Sequence, residues 1–579
     1  MKVFVTGATG FVGRHLLSAL IAQGIHGQPC DIYCLVRSQK GLDQQLASRI
    51  HVLEGGLNEI DRYTDIIQSC DYIFHLAAKA NFNAGGDYWQ DNLEGTRHLL
   101  RAAQGSSHLQ RFMFTSTIGA VDREPQDICE SPLDENSKPN PLSPYGKSKL
   151  ACEDIIAASQ LPYTIIRPTW VYGPGMRADS HIRVFINMVL KRSLVSRFAF
   201  PGKVSVVHVQ DLIQSLLLAA VDSRALRETF FVSDGSGLSI GEIFETIGEL
   251  AGSPAGRIRI PQPAVWAAQK IRAMLPLSAQ NLFIGVLWAS PKKIETIGFK
   301  AKVPFRKGLL ELMRWHRENE QPKADNGDRS LCVITGAASG IGRCFSTQLW
   351  LQGQDILLVD RDAQKLVTVG EELNSPYFIA DIGVPEDLDR LQDFIANSPY
   401  KLGMLINNAG IGLRGKAADL GYEAQKKVLD VNCVALMSLS IFALEQFRKR
   451  GKGVLINIAS SSAFQPLPYM ATYAASKAFV MHFTEALWAE EKNEENIRIF
   501  AVCPSGTETH FQTSAGVKKN PKEKLLRPED VAASILRAIP GKGATVMIGR
   551  STWMMWMLSR ILGRSMQAAL WEKLMGGMR

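Results

Sequence analysis

The feature that most constrains this chain is a repeat of very long period. The apolar run Val3, Phe4 and Val5, followed by Thr6 and Gly7, returns as Val333 and Ile334 followed by Thr335 and Gly336. Each copy leads through further glycines, Gly10 and Gly13 or Gly340 and Gly342, into a helical pattern. A strand, a glycine turn and a helix make the first part of a βαβ unit, which needs a sheet of its own to bury it. Two copies about 330 residues apart therefore imply two sheets. At 579 residues the chain also exceeds one core, since single cores stop growing beyond roughly 250–300 residues.

Within each half, short apolar runs alternate with helical patterns, at 32–36, 72–76 and 111–114 and then at 356–359, 404–406 and 454–458. Strands interleaved with helices pair in parallel under helices on both faces. The expected fold class is α/β: two tandem Rossmann-type doubly wound parallel-sheet modules, the first with a small C-terminal substrate region. The polar, aperiodic stretch 319–330 has linker composition. The expected divisions are a first module at 1–318, this linker, a second module at 331–550 and a tail at 551–579. Residues 273–291 carry no charge but contain Pro276, Ser278, Gln280 and Asn281. These are costly in hydrocarbon, so the stretch is read as a buried or pocket-lining helix and not a membrane span.

A composition of 46% hydrophobic and 21% charged residues excludes global disorder. The nine cysteines form no CxxC pair and no Cys/His set with zinc spacing, so reduced thiols and no metal site are expected. The first strand begins at Lys2, which leaves no room for a leader segment, and a cytoplasmic place is expected. From residue 541 onward six Lys and Arg stand against Glu572 alone, while the rest of the chain has no basic stripe suited to nucleic acid. That tail, with Trp553, Met554, Trp556, Leu558 and Trp571 set among arginines, has the makings of an amphipathic helix. It suits either peripheral membrane contact or a lid over the second module's pocket.

The first turn runs Gly7, Ala8, Thr9, Gly10, Phe11, Val12, Gly13, and the second Gly336, Ala337, Ala338, Ser339, Gly340, Ile341, Gly342. Glycines so spaced allow a tight turn and close approach of backbone to a pyrophosphate, which the helix N-terminus then attracts. Both halves are expected to hold a dinucleotide. The residue ending the second strand meets the adenosine ribose, and here the halves differ. Arg37 suits a 2′-phosphate and implies NADP(H) in the first module. Asp360 suits two free hydroxyls and implies NAD(H) in the second, with the neighbouring Arg361 working against it.

Tyr145 with Lys149, and Tyr473 with Lys477, place a phenol and an ammonium one helical turn apart on one face. The ammonium is expected to lower the phenol's pKa, so that the phenol can exchange a proton with a substrate oxygen during hydride transfer. With 12 tyrosines, about one such pair arises by chance, so context decides. Each pair follows a hydroxyl cluster after an apolar run, Thr115, Ser116 and Thr117 or Ser460, Ser461 and Ser462. Thr117 and Ser460 are the expected hydrogen-bonding partners of the substrate oxygen.

These residues together resemble the short-chain dehydrogenase/reductase superfamily. The first half resembles its extended, epimerase/dehydratase-like branch over residues 1–318, through the glycine turn, His75 to Ala78, Asn92 to Thr96, Tyr145 and Lys149, Arg167 and Pro168, and Tyr172 to Gly175. The second resembles the shorter branch, through its glycine turn, Asn407, Asn408, Ala409, Gly410, Asn432, Ser460, Tyr473 and Lys477. The resemblance implies that Ser460 orients the substrate, Tyr473 is the acid/base, Lys477 holds the nicotinamide ribose and Asn432 sustains a proton-relay water. Thr117, Tyr145 and Lys149 take the parallel roles. It also implies cofactor contacts from Ala77 in the first half, and from Asn408, Ala409, Gly410 and, at the adenine, Asp381 in the second. The chain departs from the pattern at Glu54 to Leu57, which lacks the aspartate after the third strand, and at Pro504 to Gly506, where a Pro-Gly pair is usual.

Thr117 lacks the neighbouring Asp-Glu pair of sugar-nucleotide dehydratases, which disfavours that chemistry and leaves epimerases, hydroxysteroid dehydrogenases and acyl or aldehyde reductases open. Residues 264–287, with Val265, Trp266, Met274, Leu275, Phe283 and nearby Trp288, favour a lipid-, steroid- or polyketide-like substrate. Core packing uses the same residue types. The expectation is a bifunctional oxidoreductase. The pairing of modules also resembles two-domain bacterial fatty acyl-CoA reductases, with a shorter first module here. An epimerase-like first module, and a degenerate cofactor-binding scaffold in one half, are the alternatives; intact Tyr/Lys pairs argue against the scaffold. Helices of the modules could pair within a chain or between two chains of a dimer.

Overall fold

The computed structural model describes residues 1–38, 44–79, 88–122, 131–271, 286–320, 330–509, 511–516 and 525–576. The chain divides into two units, Met1–Ile247 with Ala255–His316, and Gly248–Pro254 with Arg317–Arg579.

In the first unit the apolar runs become seven strands of one sheet: β1 (Lys2–Thr6), β2 (Asp31–Val36), β3 (His51–Glu54), β4 (Tyr72–His75), β5 (Arg111–Thr115), β6 (Tyr163–Pro168) and β7 (Glu228–Val232). They run parallel in the order β7-β6-β5-β4-β1-β2-β3. Alternation along β1 sends Val3 and Val5 to one face, against Leu16 and Leu20 of helix α1 (Phe11–Gln23). Phe4 goes to the other, with Ile73, Phe112 and Ile156 of helix α2 (Pro144–Ala158). Burial on both faces is why these strands read as continuous apolar runs.

The second unit repeats the plan with β8 (Ser330–Thr335), β9 (Asp355–Asp360), β10 (Tyr377–Ile379), β11 (Lys401–Asn407), β12 (Gly453–Ile458), β13 (Ile497–Pro504) and β14 (Thr545–Ile548). Their order is β10-β9-β8-β11-β12-β13-β14, the first sheet's order read from its other edge. Helix α3 (Gly340–Leu351) follows β8; α4 (Leu436–Arg450) and α5 (Ala471–Glu490) flank β12. In both sheets the order reverses beside the first strand, where a crevice opens at the strands' carboxyl ends. The doubly wound α/β expectation holds for both.

Among the described residues one helical stretch, Tyr422–Arg450, is long and apolar enough to cross a bilayer. Half of its most apolar window is buried, with Leu439, Ala443 and Phe447 in the core of the second unit.

Two expectations change. The tail is two helices, α6 (Arg550–Ile561) and α7 (Arg564–Gly576), and not one. Leu562 and Gly563 separate them, and the Gln567 amide donates to the carbonyl of Leu562 at 2.6 Å, closing the turn. Helix Phe305–Glu320 runs into the expected linker, whose residues 321–329 lie outside the described set. Of the uncharged stretch 273–291, residues 273–285 also lie outside it, and Val286–Leu287 forms a short strand.

Candidate active sites

The glycine turns are built so that only glycine fits. A Cβ at Gly13 would stand 2.1 Å from the carbonyl oxygen of Gly7, and one at Gly342 would stand 2.0 Å from that of Gly336. Helix and turn therefore pack backbone to backbone, with Phe11 and Val12, or Gly340 and Ile341, opening the helix and Ser339 just before it. A threonine ties each turn to the neighbouring strand. Thr6 Oγ1 lies 2.7 Å from His75 Nδ1 and accepts the Ala77 N–H at 3.3 Å. Thr335 Oγ1 accepts the N–H groups of Asn408 and Ala409, both at 3.1 Å. Asn408 Nδ2 in turn donates to the carbonyls of Thr335 and Gly336.

At the ribose end the units diverge as their sequences do. Arg37 is exposed just past β2. Asp360, closing β9, accepts the N–H of Ala338 and of Asp362, each at 3.0 Å, and so braces the second glycine turn. Arg361 approaches Asp381 at 3.6 Å and Lys427 approaches it at 3.2 Å. Burial acts to raise the Asp381 carboxyl, but the Lys427 and Gly383 hydrogen bonds and the charges of Lys427 and Arg361 hold it below its ordinary value.

The hydroxyls sit alike. Thr117 and Ser460 each precede a short 3-10 turn, and each accepts an N–H two residues on, from Gly119 or Ser462, at 3.2 Å. Tyr145 and Lys149 lie one turn apart on α2, and Tyr473 and Lys477 on α5. Lys149 is buried with its Nζ 4.2 Å over the Phe114 ring, and Lys477 donates to the Ile458 carbonyl at 2.8 Å. Burial draws both ammonium groups down to about 8.

The phenols correct the expectation of a lowered pKa. Burial pushes Tyr145 and Tyr473 up, and hydrogen bonds from Ser460 and Ser462 pull Tyr473 only part of the way back. Desolvation, which depends on the whole fold, outweighs the nearby ammonium.

Some residues of the sites carried no role in the sequence reading. Asn92 is buried on a π-helical turn, Trp89–Glu94, and donates to Ser148 next to Lys149 at 3.0 Å. Its only sequence signal is its place in the motif ending at Thr96. Glu153, one turn beyond Lys149, forms a buried pair with Arg167, whose Nη2 is 2.6 Å away, and also accepts the Ser116 hydroxyl. The glycines of the Tyr172 motif fold back on α1, where His15 bonds the Pro174 carbonyl at 2.8 Å. Gln465 is buried at 6% exposure, with neither side-chain polar atom hydrogen-bonded among the described residues.

In the second unit a cleft of about 770 Å³ joins these parts. Gly336, Ser339, Gly340 and Ile341 line it with Asp360 and Asp381; Asn408, Ala409 and Gly410 line it with Ser460, Tyr473 and Lys477. Gly342 and Asn432 do not line it; Asn432 is fully buried and bonds Ile411 and Ser476. Leu467, Met470, Phe511, Met555, Trp571 and Leu574 add an apolar lining, with Arg414 and Gln465 among them. Of the apolar region expected to hold substrate in the first unit, only part lies among the described residues. Val265 is buried, whereas Trp266 is 56% exposed under the Lys270 ammonium. Met274, Leu275 and Phe283 lie outside the described residues.

Residues 3–232 match the NAD dependent epimerase/dehydratase family, and residues 330–520 match the short chain dehydrogenase family. The chain belongs to the short-chain dehydrogenase/reductase superfamily. It joins a member of each branch in tandem. Over 621 residues this tandem is 24% identical to a glycine betaine reductase of Emericella nidulans, covering 93% of this chain and 48% of that one. It thus spans about half the length of that relative. A very-long-chain 3-oxoacyl-CoA reductase of Anas platyrhynchos is 29% identical over 243 residues, 40% of this chain and 74% of that one. Among solved structures, a short-chain dehydrogenase from Sphingobium yanoikuyae in complex with NADPH is 26% identical, with a TM-score of 0.37 over 40% of this chain and 93% of that one. A UDP-glucose 4-epimerase from Thermotoga maritima is 23% identical, with a TM-score of 0.46 over 55% of this chain and all of that one (100%).

Proposed function

We propose that the chain is a bifunctional NAD(P)-dependent oxidoreductase. Each unit moves a hydride to or from a carbonyl or alcohol carbon of a hydrophobic substrate. The observation that carries this reading is the doubled constellation of glycine turn, capping hydroxyl and a Tyr/Lys pair with its lysine buried, at the same edge of two like sheets. The glycine cradle, which a Cβ would fill, and the continuous cleft from Gly336 to Tyr473 fit a dinucleotide. A nicotinamide nucleotide bound there supplies or takes up the hydride.

The chain's own groups handle the oxygen. In reduction Tyr473 gives its phenolic proton to the substrate oxygen, and in oxidation it takes that proton back. Ser460 Oγ, fixed by the Ser462 N–H, hydrogen-bonds the same oxygen. Lys477 is fixed at the Ile458 carbonyl, where its remaining N–H groups can hold a ribose hydroxyl. Thr117, Tyr145 and Lys149 do the same in the first unit.

NAD(H) in the second unit is supported by Asp360, which can accept ribose hydroxyls and repels a 2′-phosphate, and by Arg361, whose charge is directed to Asp381. NADP(H) in the first is supported by the exposed Arg37. The apolar lining of the second cleft supports a lipid-like substrate, as the name of the 3-oxoacyl-CoA reductase relative does. The carboxylates among its described lining residues, Asp360 and Asp381, belong to the nucleotide end.

A second reading is favoured by a relative matched across both units, a reductase by name. An acyl thioester takes up a hydride and a proton in the first unit and releases a thiol and an aldehyde. The aldehyde takes up a second hydride and proton in the other unit to give an alcohol.

The test titrates NADH and NADPH separately and assays Tyr145→Phe and Tyr473→Phe against acyl-CoAs, aldehydes and hydroxysteroids. Each variant is expected to lose about a hundredfold or more in one reaction only. A variant that leaves every turnover unchanged removes its unit from catalysis and overturns the bifunctional reading.

A further inference from the structure

We infer that α6 and α7 form a docking surface for an anionic phospholipid bilayer beside the mouth of the second unit's cleft. The two helices are divided lengthwise. On α6 Ser551 and Met555 line the cleft, and Thr552 is fully buried with its hydroxyl on the Ile548 carbonyl at 2.9 Å. Residues 553, 557 and 561 follow at four-residue spacing on the other side, where Trp553 is 53%, Met557 55% and Ile561 74% exposed. On α7 Met566 and Leu570 continue an exposed ridge at the same spacing. Leu574 ends it and also lines the cleft, so the ridge and the opening meet there.

The charge around the ridge selects the partner. Arg550, Arg560, Arg564 and Lys573 are all exposed, against Glu572 alone. Apolar side chains with tryptophan among them, rimmed by cations, match the boundary between acyl chains and anionic headgroups. A second copy would bring the same cations against themselves. The hairpin is also held to the site it would present, because the Tyr469 hydroxyl bonds Glu572 at 3.3 Å beside Met470 of the cleft wall. That an apolar substrate passes from the bilayer into the cleft rests on the reading above; docking itself does not.

The test floats the full chain with vesicles of phosphatidylcholine alone and of phosphatidylcholine mixed with phosphatidylglycerol, and reads turnover of a water-soluble ketone in the same samples. Binding to the mixed vesicles is expected to exceed binding to the neutral ones about tenfold and to fall with salt. Trp553→Glu combined with Met557→Glu and Ile561→Glu, none of them cleft residues, is expected to abolish flotation. Arg560→Glu with Arg564→Glu is expected to bring it to the neutral-vesicle level, and both variants are expected to keep ketone turnover. Absence of flotation by the intact chain, equal binding to both vesicles, or flotation unchanged by either variant overturns the proposal. So does a lipid-free dimer that the apolar variant dissociates, which makes the ridge a contact between copies. Loss of turnover with flotation intact counts against the catalytic reading and not against docking.

Discussion

Asn92 and Asn432 make the same bonds in the two units. Each sits on a π-helical turn, Trp89–Glu94 or Asp430–Ala435, and donates to the serine that precedes the buried lysine, Ser148 or Ser476, at 3.0 Å. Each also closes a two-way bond with one backbone residue. Lys79 N–H reaches Asn92 Oδ1 at 2.7 Å and Ile411 N–H reaches Asn432 Oδ1 at 2.9 Å, while the carbonyls of Lys79 and Ile411 accept from Nδ2. The asparagine thus joins the loop after the fourth strand of each doubly wound order to the helix carrying the tyrosine and lysine. Inserted π-turns often mark functional sites.

Replacing either asparagine by alanine leaves a part-buried N–H and carbonyl and a buried hydroxyl short of partners, at a cost of about 1–3 kcal/mol. Asn92→Ala should lower the stability of the first unit and slow the Tyr145-dependent reaction alone; Asn432→Ala should do the same for the second. Urea unfolding and turnover of each reaction check this, and loss of both activities from one substitution contradicts it.

The buried Arg167–Glu153 pair sets α2 against β6 through three bonds, with Ser116 as a further donor. Arg167→Met leaves an uncompensated carboxylate in the core, so it should destabilise the first unit by about 3–5 kcal/mol. Adding Glu153→Leu to the same chain should recover most of that. A double variant no more stable than the single one shows that the pair contributes more than mutual neutralisation.

Much of this was open to sequence reasoning because backbone demands leave strong marks. The turns at Gly7 and Gly336 and the four-residue spacing of Tyr145 and Lys149 are local, and each half's alternation of strand and helix follows from burial of both sheet faces. Other features depend on distance in the chain. Glu153, Arg167 and Ser116 meet only because α2, β5 and β6 adjoin, and no local pattern announces them. The raised phenols reverse the expected direction because desolvation is a property of the packed site. Gln465 looks like any loop glutamine until its burial is known. The break between α6 and α7 comes where the backbone turns extended at Leu562, which periodicity alone passes over.

His75 gives the first unit a sensitivity to acid. Thr96 donates to the Asn92 carbonyl, so its oxygen accepts from His75 Nε2, and Thr6 donates to Nδ1. Both ring positions are thereby assigned in the neutral form, and burial lowers the imidazole to about 3. The folded value lies below the unfolded one, so the contribution is complete above about pH 6.5 and is lost as pH falls toward 3. Stability should drop by about 1.4 kcal/mol per pH unit across that window from this residue. The difference between the intact chain and His75→Gln, measured by urea unfolding at several pH values, should carry that slope.

Gln465 pairs a stability effect with a selectivity effect. Its amide is buried in the cleft wall without a hydrogen-bond partner among the described residues, so Gln465→Leu should stabilise the second unit by about 1–2 kcal/mol. The same change should raise KM for substrates with a second polar group near the carbonyl and leave simple ketones unaffected. A Leu variant that is less stable, with KM unchanged throughout, places the amide in the structure and outside recognition.

The glycine turns allow each unit's cofactor to be read separately within the intact chain. A Cβ at Gly342 would meet the Gly336 carbonyl at 2.0 Å, and one at Gly13 would meet that of Gly7 at 2.1 Å. Backbone cannot yield there without displacing the helix N-terminus that receives the pyrophosphate. Gly342→Ala should therefore abolish NADH binding while NADPH still binds, and Gly13→Ala should do the reverse. Fluorescence titration with each nucleotide, at a pH where both lysines are protonated, checks the pair. Asp360→Ser should then let the second unit accept NADPH, since the carboxylate that would repel the 2′-phosphate is gone. If Gly13→Ala removes NADH binding and spares NADPH, the assignment of nucleotides to units is inverted, and the preference rests on groups other than Arg37 and Asp360.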